Sequence, residues 1–138
     1  MNHHLIEQAQ HSIHHVHELI QRVFTDADGV GEASLAPLMQ VFAPDFSMVT
    51  TAASTVDRHQ VEQLFRGAVG GRPGLQIVIS DVHPVWQEGE SVAISYKETH
   101  RRADSENSRV SVAILRVRGQ DVQWLYLHET AFIPDVRR

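Results

Sequence analysis

Ser108-Arg109-Val110-Ser111-Val112-Ala113-Ile114-Leu115-Arg116-Val117-Arg118, the turn Gly119-Gln120-Asp121, and Val122-Gln123-Trp124-Leu125-Tyr126-Leu127-His128-Glu129-Thr130 decide the fold. Two β-rich runs joined by a short Gly-containing connector read as an antiparallel hairpin. Working outward toward the N-terminus, segments of about 91–102 and 75–86 continue the pattern. They are separated by Gln87-Glu88-Gly89-Glu90 and by the polar stretch Ala103-Asp104-Ser105-Glu106-Asn107. Four long sequential strands predict neighbouring antiparallel pairs. Pro84 cannot donate to a ladder, so it marks an edge or a bulge.

The first half is helical in pattern. Ile6, Ala9, Ile13, Val16, Ile20, Val23 and Phe24 recur at three- and four-residue steps, which predicts an amphipathic helix from 3 to about 25 with Asn2 as N-cap. Asp26-Ala27-Asp28-Gly29-Val30-Gly31 stops it. A second helix is expected from about Ala33 to Phe42, ended by Pro44. A strand follows from Phe46 to about Thr51, then a third helix capped by Asp57. Helices gathered on one side of an antiparallel sheet give an α+β fold. Both faces of the late strands carry apolar residues, so the face away from the helices is expected to meet a second copy, making a homodimer.

Composition bounds the function. The chain has 138 residues, 42% of them hydrophobic, which suits one domain spanning 1–138. Without cysteine, a disulfide scaffold and a thiol nucleophile are excluded. A net charge of -5 argues against a general nucleic-acid surface. No run approaches the ~18 apolar residues of a membrane span, and the start lacks signal-peptide features, so a soluble cytoplasmic protein is expected. The 10 histidines are the unusual count; protonating all of them would take the charge from -5 to +5 (-5 + 10).

Three strings carry a family resemblance: Phe42-Ala43-Pro44-Asp45-Phe46-Ser47-Met48-Val49-Thr50, Val56-Asp57-Arg58-His59, and Trp124-Leu125-Tyr126-Leu127-His128-Glu129-Thr130. The chain resembles the nuclear transport factor 2-like superfamily over nearly its whole length, and within it small bacterial SnoaL-like proteins of undefined function. The last string also resembles the ending of the calcium/calmodulin-dependent kinase association domain, with Thr130 in place of that pattern's second histidine. The resemblance implies a curved antiparallel sheet forming a cone, with three helices on its concave side and a cavity between sheet and first helix. Members use such a cavity for isomerisation, dehydration, cyclisation or ligand binding, so fold alone does not choose a function.

Tyr96, Glu98 and His100 share parity on one strand, and Trp124, Tyr126, His128 and Thr130 share it on the last; both rows are expected to face inward. Together they are the expected ligand-binding set. Glu98 or His128 would serve as general base, and Tyr96 or Tyr126 would hydrogen-bond a developing oxyanion. The ordinary alternative is a set of strand aromatics and satisfied polar groups, with Glu98 near Arg101 or Arg102. Steroid-isomerase chemistry fits poorly, because that subgroup places a Tyr on the first helix and none stands there. Asp45 is read as a turn residue rather than a pocket acid.

Other signals lead away from cofactors. His11 and His15 lie four apart and could chelate a metal, but no third ligand is dictated, so they are read as a solvated face. Aligning Gly29 as the sixth residue of a calcium loop puts Phe24 and Leu35 at ligand positions, which excludes it. Gly67-Ala68-Val69-Gly70-Gly71 lacks the Lys-Ser/Thr of a phosphate loop, and no Gly-x-Ser-x-Gly string occurs. His100-Arg101-Arg102 and Arg137-Arg138 read as solvated ends. The expected function is therefore a dimeric small-molecule pocket protein without cofactor, metal, nucleic-acid or membrane partner. The alternatives are a cofactor-independent isomerase, dehydratase or cyclase using Glu98, His128 and a Tyr, or an associating domain whose cone is filled by its own side chains.

Overall fold

The structure is a computed structural model in which residues 3–132 are described. The expected N-cap Asn2 and the pair Arg137-Arg138 lie outside them. The elements in order are α1 (His3–Thr25), a short 3-10 turn (Ala27–Gly29), α2 (Val30–Val41), β1 (Phe42–Val49), β2 (Thr55–Asp57), α3 (Arg58–Gly67), β3 (Gln76–Glu88), β4 (Ser91–Arg102), β5 (Ser105–Arg118) and β6 (Asp121–Phe132).

One six-stranded sheet runs in the order β2-β1-β6-β5-β4-β3. The late strands are sequential antiparallel neighbours, as expected. Their tight turns need a left-handed residue, supplied by Gly89 at φ 59° and Gly119 at φ 60°. The expectation of a purely antiparallel sheet is corrected, because β1 lies parallel to β6. No hairpin joins those two strands, so turn geometry does not dictate their relative direction. Instead, β1 hairpins into the short β2, which its pattern did not reveal. Pro44 sits inside β1, where the register with β6 slips between Phe42 and Ser47, rather than ending the helix. Pro84 lies on edge strand β3, at a second slip between Pro84 and Trp86.

The core forms where α1 crosses the concave face. Ala9, Ile13, Val16 and Val23 are fully buried, and the larger side chains contribute roughly 1.5–3 kcal/mol each. Polar links fix the crossing: Trp124 Nε1 of β6 donates to Ser12 Oγ at 3.0 Å, and the Ile77 amide of β3 donates to Gln21 Oε1 at 2.8 Å. The Asp-Gly string is a helix junction: Asp26 Oδ1 accepts from the Gly31 amide at 2.9 Å. A Cβ at Gly31 would lie 2.8 Å from that oxygen, so no larger residue fits without movement. Asp57 and Gln60 form a capping box that starts α3. Beyond α3, the Gly70 and Arg72 amides donate to the Val23 and Phe24 carbonyls, both at 2.9 Å, tying the loop to the end of α1.

Candidate functional site

Register decides which side chains enter the cone. Glu98 of β4 pairs with Arg109 of β5, and Tyr96 with Ser111, which pairs in turn with Glu129 of β6. Tyr96, Glu98 and His100 are buried on this concave face, as the alternation predicts.

On β6 the alternation breaks. Leu115 pairs with Trp124 but Ile114 pairs with Tyr126, so Leu125 is an extra, unpaired residue. Such a bulge inverts the faces of everything beyond it. Trp124, Leu127 and Glu129 therefore line the cavity. Tyr126, His128 and Thr130 go to the outer face, where His128 and Thr130 are exposed and Tyr126 Oη meets His128 Nδ1 at 2.8 Å. The expectation that Trp124, Tyr126, His128 and Thr130 share a row is corrected, and with it the pocket roles of Tyr126, His128 and Thr130.

The cavity has a volume of about 420 Å³. Apolar walls come from α1, α3 and β1, among them Ile20, Phe24, Met48, Val61 and Phe65. Its polar lining consists chiefly of His17, Arg72, Glu98, His100, Arg109 and Glu129. Among the described residues, no group of three His, Cys, Asp or Glu side chains is arranged to hold a metal ion.

Glu98 lies at the centre of this lining. His17 Nε2 stands 3.1 Å from Glu98 Oε1, and His100 Nε2 stands 2.5 Å from Glu98 Oε2. Hydrogen-bond accounting assigns the protons. The Ile13 carbonyl can only accept, so His17 Nδ1, 2.7 Å away, carries a proton. His17 Nε2 can then bond the Glu98 carboxylate only by being protonated as well, which makes His17 an imidazolium. Arg72 Nη1 can only donate, so His100 Nδ1, at 2.9 Å, accepts. The His100 proton is therefore on Nε2 and is donated to Glu98.

The charge shifts agree. Burial works against the Glu98 carboxylate, but the His17 charge and the hydrogen bonds from both imidazoles hold its pKa far below the usual carboxylate range. Burial likewise works against protonated His17, yet the Glu98 charge and hydrogen bond raise its pKa. Burial and the nearby Glu98 charge push Glu129 upward, against the opposing Arg109 and His17. Tyr96 is raised well above its ordinary value by burial, then by Glu98 and Glu129.

Four cavity residues escape a reading of the sequence. His17 resembles the solvated helix-one histidines around it, although 13, 17, 20 and 24 follow three- and four-residue steps along the buried face. Glu129 is hidden by the bulge. Arg109 shares parity with Ser111, Ala113 and Leu115, and that parity is the available signal. Arg72 sits in a loop whose placement no periodicity reports.

No family model matches the chain, and no curated protein matches it. Among solved structures, a nuclear transport factor 2-like protein of unknown function from Pseudomonas aeruginosa superposes with a TM-score of 0.85 at 29% identity, over 91% of this chain and 99% of that one. The chain has the nuclear transport factor 2-like fold. A nuclear transport factor 2-like protein from Cytophaga hutchinsonii shares the fold at TM-score 0.65 and 13% identity, over 96% of this chain and 100% of that one. A candidate dehydratase of the same family from Streptomyces avermitilis does so at 0.64 and 14%, over 85% and 94%. At those identities the likeness concerns fold alone.

Proposed function

We propose that this nuclear transport factor 2-like protein binds a small, partly apolar molecule in its cone and associates as a homodimer through the outer sheet face. The observation carrying the pocket reading is the cavity of about 420 Å³, with apolar walls and a convergent polar lining around Glu98. The dimer reading draws on Trp86, Val110 and Phe132, which are 47%, 42% and 47% exposed on or beside the outer face.

A second reading is proton-transfer catalysis, as in an isomerase, dehydratase or cyclase. What favours it is an ionised carboxylate in hydrogen-bond contact with an imidazolium inside a cavity. His17, not His128, would be the imidazole partner of Glu98, because His128 is on the far side of the sheet.

Methyl-resolved NMR with 1-anilinonaphthalene-8-sulfonate as probe tests the pocket. Saturable shifts at Val16, Ile20, Val61 and Leu127 are expected. Shifts confined to Val110, Val112 and Ile114, or none at all, would overturn it. Sedimentation velocity at micromolar concentration tests association: a dimer split by Val110→Glu is expected, and a wild-type monomer would refute it.

A further inference from the structure

The cavity's cations are incompletely matched. Arg72 makes no ion pair with a carboxylate among the described residues; its guanidinium meets His100 Nδ1 and lies 5.7 Å from the Phe24 ring centre. Arg109 reaches Glu129 only at 3.6 Å, and its buried Nε has no hydrogen-bond partner. The Glu98 charge, by contrast, is already taken by His17 and His100. Arg72 and Arg109 line the same cavity, where burial, Arg102 and Arg109 lower the Arg72 pKa against the opposing Glu98 charge. Guanidinium groups beside an apolar space, with unused donors, match a planar anion carrying an apolar body.

We infer that the ligand is an amphipathic monocarboxylate, its carboxylate held by the Arg72 and Arg109 guanidinium groups and its apolar tail lying against Phe24, Phe65, Met48 and Leu127. This rests on the pocket reading and specifies its ligand class. Size is compatible. At roughly 30 Å³ per water-sized unit, the cavity has room for a ligand of about ten non-hydrogen atoms or more. Glu129 stands 3.6 Å from Arg109, so a ligand carboxylate would share that guanidinium with it.

The test is calorimetric titration of the full chain at neutral pH with octanoate and, separately, 1-octanol. Losing a charge-assisted carboxylate contact corresponds to about tenfold in affinity. Octanoate is therefore expected to bind about tenfold more tightly than octanol. Arg72→Gln and Arg109→Gln, each checked for native circular dichroism, should remove that preference while leaving octanol binding in place. Arg72→Lys should retain part of it. Equal affinity for acid and alcohol would overturn the carboxylate inference and leave the pocket standing. A preference that survives both Gln variants would overturn the assigned seat. Binding of neither compound would count against the pocket itself.

Discussion

Glu98→Gln separates charge from shape at the centre of the cavity. The substituted amide can still accept from His100 and can donate to a neutral His17, so the hydrogen bonds survive without the charge. Two charge-assisted bonds become neutral, costing about 1 kcal/mol each. At pH 5.5 there is a further cost. The unfolded imidazole, with a reference pKa of 6.5, is protonated there, whereas buried His17 facing an amide must be neutral. One pH unit of forced deprotonation is worth roughly 1.4 kcal/mol. The variant should thus be about 3 kcal/mol less stable than wild type at pH 5.5. In wild type, His17 is raised, so its contribution is complete below 6.5 and is lost as pH rises through the folded value. Glu98 is lowered, so its contribution is present above 4.5 and is lost as pH falls through the folded value. Both shifts describe one interaction, whose full contribution lies between pH 4.5 and 6.5. Urea denaturation at pH 5.5 and 8.5 reads the gap, which should shrink by at least ~1.4 kcal/mol at the higher pH. A gap that is constant or widens with pH would refute the imidazolium–carboxylate assignment.

Other outcomes follow from single contacts. Asp57→Ala removes the side-chain acceptor for the Gln60 amide and should cost about 1 kcal/mol in urea denaturation. Arg58→Ala frees the Met39 and Phe42 carbonyls, bonded at 2.7 and 3.1 Å, and should cost about 2 kcal/mol, read as a lowered Tm. His128→Ala, on the outer face, should leave octanoate affinity within about twofold of wild type by calorimetry.

The late strands are legible because local chemistry sets them. Glycine turns at 89 and 119 bracket β4 and β5, and β4 occupies the expected 91–102. The burial of Tyr96, Glu98 and His100 follows from simple alternation. Leu125 is where that logic fails: no glycine or proline announces the bulge, and one inserted residue exchanges His128 for Glu129 inside the cone. His17 is concealed for a different reason. A histidine on a helix rich in exposed histidines looks solvated until the position of its carboxylate partner, 81 residues away, is known. The parallel pairing of β1 with β6 is likewise a tertiary outcome, since no turn joins the two strands.

A ligand in the cone would lie over the Glu98 cluster. A crystal structure of the protein with octanoate tests that placement most directly. Density is expected within the cone, its carboxylate against Arg72 and Arg109 and its chain along Phe24 and Phe65. Density confined to the outer sheet face, or an empty cone at saturating octanoate, would contradict it.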